Sequence, residues 1–388
     1  MFPGARRATV GALAAGVLLL SGCSSGDGSG STEPPPSPAA AAPSPTTSSS
    51  LPPAKGSVRV VSTTAEGLAS PWGLAELPGG DLLVTSRDER TITRIAGATG
   101  RRTVLGTVPG VSPAGEGGLL GIAVSPAFAT DRLLYVYFTT ASDNRIARLR
   151  YDPQGEAPGR QLGAPRTILR GIPKGPIHNG GRIAFGPDRM LYAGTGETGH
   201  SGLSQDKKSL AGKILRMTPD GRPAPGNPVP DSVMYSYGHR NVQGLAWDEQ
   251  KRLWASEFGQ DTWDELNQIV PGGNYGWPEY EGRVGKAGFV DPVARWRPSE
   301  ASPSGIAFVR GSIWMAGLRG ERLWRIPLSG NPDKEPLAPP QSFLEGKYGR
   351  LRTVLAAGGD RLWLVTSNTD TRGNPRPGDD RILMLQVR

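Results

Sequence analysis

The chain has 388 residues, a single cysteine and a net charge of +9 that arises from 44 basic and 35 acidic residues. The basic residues are scattered and do not form a stripe with interleaved aromatics, which argues against a nucleic-acid partner. One cysteine also excludes a disulfide within the chain.

The first residues have the pattern of a bacterial export signal that ends in a lipoprotein cysteine. Arg6 and Arg7 precede an apolar run over residues 8–20, which is too short to span a membrane, and Cys23 follows small residues. We therefore expect a signal peptide over residues 1–22 and lipid attachment at Cys23. The protein would then be exported and anchored to the cell membrane, with its domain on the extracytoplasmic side.

The next segment separates the anchor from the folded domain. Residues 23–56 are rich in Ser, Pro, Ala and Gly and contain almost no bulky apolar side chains. Such a composition cannot bury a core, so we expect a flexible tether. Residues 57–388 remain as one domain.

A short apolar strand core recurs six times along this domain. The copies are Gly73-Leu74-Ala75, Gly121-Ile122-Ala123, Arg182-Ile183-Ala184, Gly244-Leu245-Ala246, Gly305-Ile306-Ala307 and Val354-Leu355-Ala356. A turn and a second strand follow each copy, and the repeat of about 50 to 60 residues is the length of one propeller blade. The sequence predicts an all-β fold, a six-bladed β-propeller with four-stranded blades, because a closed ring removes the sheet edges.

The repeat register predicts which residues meet at the mouth of the central funnel. Residues just before the inner strands should form one ring, and residues that end the second strands should form a neighbouring ring. The first ring contains Glu116, His178, Arg240, Asn241, Arg350 and Arg352, and the second contains Glu197, Glu257, Gly259, Gln260 and Arg319. Guanidinium groups bind carboxylates and phosphates bidentately, so this funnel suits a planar anionic ligand.

These segments resemble a known family, the soluble quinoprotein glucose and aldose sugar dehydrogenases of the glucose/sorbosone dehydrogenase group. The resemblance spans most of residues 68–388. It rests on EGGLLGIAVSP from Glu116, HNGGRIAFGPD from His178, the GTGE loop that ends at Glu197, GKILRM from Gly212, GHRN…SEFG…DELN…GGNYGWP over residues 238–278 and RLR from Arg350. The family's fold is also a six-bladed propeller.

The resemblance implies oxidation of an aldose C1 hydroxyl to the lactone, with pyrroloquinoline quinone (PQQ) and Ca²⁺ as cofactors. The partners implied are a sugar substrate and an external electron acceptor. His178 falls on the family's general base, and a neutral imidazole suits that task. Glu197 matches a carboxylate that supports this histidine, although the glucose enzymes have Asp there.

The remaining site residues are assigned by the same resemblance. The positions that match cofactor contacts are Glu116, Arg240, Asn241, Arg319, Arg350 and Arg352. Arg240 would also stabilise negative charge that develops on the quinone oxygen. The backbone carbonyls of Gly259 and Gln260 match ligands of the catalytic calcium, which is a hard cation that takes oxygen ligands. Glu265 and the backbone of Tyr275 resemble part of a second, structural calcium site.

Other residues have a structural interpretation. His239 should point away from its neighbour Arg240 in an extended strand and is interpreted as structural. The tryptophans at blade positions, Trp72 among them, are predicted to pack between blades. Glu257 is either core polar support or a ligand.

Two alternatives stand beside the dehydrogenase hypothesis. A metal-dependent sugar lactonase on a similar propeller would need several Asp, Glu and Asn side chains around one metal, whereas arginines dominate the predicted ring. A non-catalytic propeller that binds a partner at the cell envelope would be expected to have lost the base or the arginines, and this chain retains both.

Overall fold

The computed structural model describes residues 51–155 and 159–388. The predicted signal peptide, Cys23 and most of the predicted tether lie outside these ranges. Within them, the chain folds into six four-stranded antiparallel sheets. The helical segments of the described ranges are short: α1 (Phe128–Asp131) and 3-10 turns at Ser201–Ser204 and Pro332–Lys334. No helix in the described chain is long and apolar enough to cross a membrane.

The strands follow one another blade by blade, apart from the first strand, β1 (Val58–Ala65). Blade one contains β2 (Pro71–Glu76), β3 (Leu82–Ser86), β4 (Thr91–Ile95) and β5 (Arg102–Thr107). Blade two contains β6 (Leu119–Val124), β7 (Leu133–Thr139), β8 (Asn144–Arg150) and β9 (Arg166–Ile172). Blade three contains β10 (Ile183–Phe185), β11 (Leu191–Gly194), β12 (Lys213–Met217) and β13 (Met234–Tyr237). Blade four contains β14 (Val242–Trp247), β15 (Leu253–Glu257), β16 (Asp264–Ile269) and β17 (Ala294–Trp296). Blade five contains β18 (Pro303–Val309), β19 (Ser312–Gly317), β20 (Arg322–Pro327) and β21 (Gln341–Phe343). Blade six contains β22 (Leu351–Ala356), β23 (Arg361–Thr366) and β24 (Ile382–Val387).

The predicted six-bladed propeller is confirmed, and β1 closes the ring. This strand pairs antiparallel with β24, from Val58 opposite Val387 to Ala65 opposite Ile382. The last blade is therefore completed by the first strand. Closure in this way gives β24 a partner on both sides and joins the N-terminal strand of the ring to its last blade.

The hydrophobic core lies between the blades. The described chain contains six clusters of buried apolar side chains, and each cluster joins two neighbouring blades. Trp254, for example, packs in the cluster between blades four and five, and Trp363 packs between blades six and one. Burial of these faces stabilises the ring because each sheet is apolar on both sides.

Glycines in the inner strands explain why the Gly-Leu-Ala and Gly-Ile-Ala cores recur. A Cβ atom on Gly121 would lie 2.2 Å from the carbonyl oxygen of Gly181, in the inner strand region of the next blade. A Cβ atom on Gly244 would lie 2.4 Å from the carbonyl oxygen of Ser304. The inner strands thus approach one another too closely for a side chain at these positions.

The strand directions define two faces of the ring. The inner strands begin at the face that carries the funnel mouth, and β1 starts at the opposite face, since its first residue pairs with the end of β24. Just before β1, the carbonyl oxygens of Pro53 and Ala54 accept hydrogen bonds from Arg325 of blade five at 2.7 and 3.4 Å. The described chain therefore joins the ring on the side away from the funnel.

Candidate active site

A cavity of about 610 Å³ opens at the funnel face, and its wall receives residues from all six blades. His178, Gly259 and Gln260 lie on this wall, as predicted from the repeat register. Six arginines and three carboxylates also line it. These charged residues are Arg87, Glu116, Arg240, Asp264, Arg319, Arg350, Arg352, Asp370 and Arg372.

His178 stands immediately before the inner strand of blade three, with its side chain buried against Glu197. The imidazole Nδ1 contacts Oε1 of Glu197, which follows the second strand of the same blade. Since a carboxylate only accepts, Nδ1 carries the proton of the neutral ring, and Nε2 keeps the lone pair. The other oxygen of Glu197, Oε2, is buried and has no hydrogen-bond partner among the described residues.

The backbone of His178 adopts an unusual conformation for a side chain of its size. Its φ is +53°, in the left-handed region that glycine favours. Its N–H donates to Oε2 of Glu116 at 2.9 Å. The carbonyl oxygen of His178 accepts from the N–H of Thr198 at 3.2 Å. Contacts on both sides of the residue thus fix how the imidazole enters the cavity.

Arg240 and Asn241 stand at the equivalent position of blade four. The Arg240 guanidinium donates from Nη1 to the carbonyl oxygen of Gly259 at 2.6 Å and lies over the Trp277 ring, 5.2 Å from its centroid. Burial lowers the pKa of Arg240. Asn241 accepts from the N–H of Gly180 at 3.0 Å. In the described structure Arg240 Nε and Asn241 Nδ2 are buried without hydrogen-bond partners.

A second buried histidine–glutamate pair lies behind Arg240. His239 Nδ1 lies 2.8 Å from Oε1 of Glu257, and its Nε2 lies 2.8 Å from the Ser236 hydroxyl. Oε2 of Glu257 accepts the backbone N–H of Arg240 at 2.8 Å. His239 is fully buried and does not line the cavity, consistent with its structural interpretation. Glu257 supports Arg240 from the core.

Arg350 and Arg352 share one carboxylate that the sequence did not reveal. Oδ2 of Asp370, in the loop after β23, lies 3.0 Å from Nη2 of Arg350 and 2.9 Å from Nη2 of Arg352. Burial alone would raise the pKa of Asp370, but the charges and hydrogen bonds of the two arginines lower it to about 2. Arg87 donates to the backbone carbonyl of Asp370 at 3.3 Å. Three cations thus surround one loop residue.

Trp72 packs in a cluster between blades, as predicted for the blade tryptophans, and also faces the cavity. Its ring lines the cavity, and the guanidinium carbons of Arg182 and Arg352 lie 4.5 and 5.7 Å from its centroid. Burial, followed by the charge of Arg352, lowers the pKa of Arg182 to about 9. Arg182 immediately precedes β10, so the repeat register could have indicated it as a further buried cation near the cavity.

The segment after β15 is held by two carboxylates. Asp264 accepts the N–H of Gly259 at 3.0 Å, and Oε1 of Glu281 accepts the N–H groups of Gln260, Thr262 and Trp263 at 2.8, 3.0 and 2.8 Å. Burial raises the pKa of Asp264 to about 7. This loop, residues 259–263, presents Gly259 and Gln260 to the cavity.

Glu265 and Tyr275, the predicted second calcium site, lie in the core of blade four. The oxygens of Glu265 accept from the N–H of Gly282 at 2.7 Å and from Nδ2 of Asn267 at 3.1 Å. Burial and the nearby Glu257 carboxylate raise the pKa of Glu265. No group of three or more His, Cys, Asp or Glu side chains in the described chain is arranged to hold a metal ion. A calcium role for these two residues stays a prediction.

Comparison with known proteins identifies relatives along most of the chain. A profile of the glucose/sorbosone dehydrogenase family matches residues 68–374. An aldose sugar dehydrogenase of Escherichia coli is 32% identical over 361 residues, which are 83% of this chain and 93% of that protein. Quinoprotein glucose dehydrogenase B of Acinetobacter calcoaceticus is 30% identical over 253 residues, which are 56% of this chain and 51% of that protein.

A solved structure extends this similarity to the fold. The PQQ-bound form of an aldose sugar dehydrogenase from Streptomyces coelicolor is 72% identical to this chain, with a TM-score of 0.85. The match covers 87% of this chain and 100% of that chain.

Proposed function

The chain belongs to the glucose/sorbosone dehydrogenase family, and from this premise we propose that it oxidises the C1 hydroxyl of an aldose to the lactone. In this proposal PQQ and calcium are the cofactors, and the electrons pass to an external acceptor. Identity of 72% to a PQQ-bound aldose sugar dehydrogenase supports it. The observation that carries it is the arginine-rich cavity with the His178–Glu197 pair on its wall.

The charge of the cavity fits PQQ. With all lining carboxylates ionised, six arginines exceed three carboxylates by three positive charges. PQQ carries three carboxylates, so it would neutralise this excess. Arg350 and Arg352 are the best placed of these cations to hold it, because Asp370 already orients both guanidinium groups.

Unpartnered polar atoms point to the same ligand. Arg240 Nε and Asn241 Nδ2 are donors that the described residues leave without an acceptor. Buried donors of this kind cost about 1 to 3 kcal/mol each when unsatisfied. A planar ligand rich in carbonyl and carboxylate oxygens supplies acceptors, so Arg240 and Asn241 would help to hold it.

When bound, PQQ would accept the hydrogen and the two electrons of the sugar C1–H bond. His178 acts as the general base, and its Nε2 takes the proton of the C1 hydroxyl. Glu197 holds Nδ1 of the ring, so the imidazole keeps the required tautomer and Glu197 stabilises the imidazolium that forms. The guanidinium of Arg240 stabilises negative charge at the reacting centre.

Calcium fits the loop at residues 259–263. The N–H groups of Gly259 and Gln260 donate to Asp264 and Glu281, which leaves their carbonyl oxygens as the backbone groups available to a cation. Calcium takes oxygen ligands and accepts carbonyls in its coordination shell. The Gly259 carbonyl already accepts from Arg240, so its second lone pair would be the one that serves a cation.

The alternatives find less support. A metal-dependent lactonase needs several acidic or amide side chains around one metal, and the described residues contain no group of three or more His, Cys, Asp or Glu side chains arranged to hold a metal. A non-catalytic propeller needs neither a histidine–carboxylate pair at the cavity wall nor a surplus of arginines there.

The proposal is tested on the purified full-length protein. The protein is loaded with PQQ in the presence of calcium or of a chelator, and dye reduction is followed with a panel of aldoses. We expect sugar-dependent reduction that a chelator abolishes and added calcium restores, and the product should be a lactone by NMR. PQQ binding without oxidation of any aldose would contradict the proposal.

We also propose that the protein is exported and anchored to the membrane through a lipid on Cys23. The sequence supports this proposal, because Arg6 and Arg7 precede an apolar run over residues 8–20 and Cys23 follows small residues. Metabolic labelling with a radioactive fatty acid tests this directly. Label should enter the wild-type protein and not C23S, and equal labelling of both would contradict the assignment.

A further inference from the structure

We propose that Glu116 is a positioning residue that holds the backbone of His178, and that Arg372, in the loop after β23, holds Glu116 in place. This inference rests on the proposed function, in which His178 is the base. It gives Glu116 a role in positioning the base, and it gives Arg372 a role in positioning Glu116.

Glu116 is joined to the His178 segment at two points. Its backbone N–H donates to the carbonyl oxygen of Pro176 at 2.9 Å, and its Oε2 accepts the N–H of His178 at 2.9 Å. A non-glycine residue in the left-handed region is disfavoured by roughly 1 to 2 kcal/mol. The φ of +53° at His178 therefore needs support from its surroundings, and Glu116 provides it.

The other side of the His178 peptide is closed by the loop that carries Glu197. A Cβ atom on Gly196 would lie 1.9 Å from the carbonyl oxygen of His178, so this carbonyl is packed directly against the loop. The peptide of His178 is thus clamped between Glu116 and residues 196–198. Loss of the Glu116 contact would leave it free on one side.

Arg372 reaches the second oxygen of Glu116. Its Nη2 lies 2.8 Å from Oε1, and the side chains are 58% and 22% exposed. Exposed ion pairs contribute only about 0 to 1 kcal/mol to folding. The effect of this pair is on orientation: with Oε1 bound to Arg372, the carboxylate keeps Oε2 at the His178 N–H.

The loop that carries Arg372 is anchored at the arginine pair. The N–H of Arg372 donates to Oδ1 of Asp370 at 3.0 Å, while Oδ2 of Asp370 holds Arg350 and Arg352. Continuous polar contacts therefore run from the arginines, through Asp370, Arg372 and Glu116, to the base. They link the anion-binding side of the funnel to His178.

Both oxygens of Glu116 are engaged by donors of the chain itself. An ionised carboxylate is an acceptor only and offers no donor to an anionic cofactor. Its negative charge would also repel the carboxylates of PQQ. These properties favour a role towards His178 over the direct cofactor contact that the family resemblance implies.

The test compares four variants of the full-length protein loaded with PQQ: E116A, E116Q, R372A and the control R376A. Arg376 lies in the same loop, but its guanidinium donates only to backbone carbonyls, those of Lys347 and Gly346. We expect E116A to lower kcat by roughly 10- to 100-fold, as misplaced catalytic groups do. KM and the PQQ dissociation constant should change less than about threefold. E116Q should recover kcat only to about the level of R372A, because its amide oxygen can accept the His178 N–H while its amide nitrogen cannot accept from Arg372.

We expect R372A to lower kcat about threefold or more and R376A to match the wild type, since only Arg372 touches Glu116. Weaker PQQ binding with normal kcat in E116A would overturn the inference, as would equal losses in E116A and E116Q. Wild-type kcat in R372A would overturn the role of Arg372.

A wild-type protein that oxidises no sugar would count against the proposed function instead. The inference would then be decided by crystal structures of the unloaded proteins. The His178 backbone should leave the left-handed region in E116A and stay there in E116Q, and an unchanged backbone in E116A would overturn the inference.

Discussion

At the scale of single residues, the guanidinium groups at the funnel outnumber the carboxylates that can pair with them. Asp370 pairs with Arg350 and Arg352 through one oxygen and is almost fully buried. Arg182, beneath Trp72, donates only to the neutral oxygens of Gln243 and Thr353. Burial of a cation without a counter-charge costs folding free energy, so the site is organised for an anion that the chain does not supply.

The pairing of Asp370 predicts how stability depends on pH. Its pKa is lowered from 3.8 to about 2, so its contribution is complete above pH 4 and is lost as the pH falls towards 2. The free energy of unfolding of D370N, measured by urea titration, should therefore lie below that of the wild type at neutral pH. The gap should shrink by roughly 2 kcal/mol between pH 4 and pH 2. A gap that is the same at every pH would contradict the ion pairs.

Arg350 should matter for the cofactor and not for folding alone. A charge-assisted hydrogen bond contributes about 1.5 to 3 kcal/mol, so R350A should weaken PQQ binding by roughly 10- to 100-fold. The dependence of affinity on salt should also become shallower. The control is R361A at the exposed start of β23, away from the funnel. Unchanged PQQ affinity in R350A, measured by fluorescence titration, would contradict the proposed contact.

At the scale of elements, the loop at residues 259–263 is shaped by carboxylates that arrive from other segments. One oxygen of Glu281 accepts hydrogen bonds from three backbone N–H groups of this loop, those of Gln260, Thr262 and Trp263. A Cβ atom on Gly259 would lie 2.4 Å from this same oxygen. Glycine is required at this position because a Cβ atom would lie 1.9 Å from the backbone carbonyl oxygen of Trp263 as well as beside the Glu281 carboxylate.

Removal of the Glu281 carboxylate should loosen this loop without disturbing the blades. In E281A, amide hydrogen exchange should accelerate in the peptide that covers residues 258–264, since three N–H groups lose their acceptor. Half-maximal activation should also need a higher calcium concentration, with full activity restored by excess calcium. E279A is the matched control, because Glu279 lies two residues earlier and is exposed. Unchanged exchange in E281A would contradict this account of the loop.

At the scale of the whole molecule, the propeller brings together side chains that lie far apart along the chain. Residues from Trp72 in blade one to Arg372 in the loop after β23 meet at one mouth, because every inner strand begins at the same face. The closing strand β1 joins the two ends of the chain at blade six. The ring therefore holds the base and the arginines in fixed relative positions, as a catalytic site requires.

The sequence predicts the parts of this arrangement that repeat. The six Gly-Leu-Ala-like cores identify the blades, and their register correctly places His178, Arg240, Arg350 and Arg352 at one cavity. No local sequence pattern indicates that β1 closes the ring, because Val58 of β1 pairs with Val387, which lies more than 300 residues later in the chain.

The residues that sequence reasoning missed lie in loops or contribute through long-range contacts. Asp370, Arg372 and Glu281 follow strands at irregular distances, so no repeat register reaches them. Their partners, such as Glu116 for Arg372, come from other blades and are visible only in three dimensions. Glu197 was placed beside His178 by the family spacing, and the structure shows the two side chains in contact.

The central claim is that one funnel both holds an anionic quinone and presents His178 as the base. Its most direct test is anaerobic rapid mixing of the PQQ-loaded protein with an oxidisable aldose, without dye, while the quinone absorbance is followed. The account predicts rapid reduction in the wild type. In His178→Ala, PQQ should bind with affinity within about threefold of wild type, and reduction should slow by roughly 10²- to 10⁴-fold, the usual contribution of a positioned base. Reduction of His178→Ala at the wild-type rate, or loss of PQQ with normal turnover of the protein that stays loaded, would contradict the account.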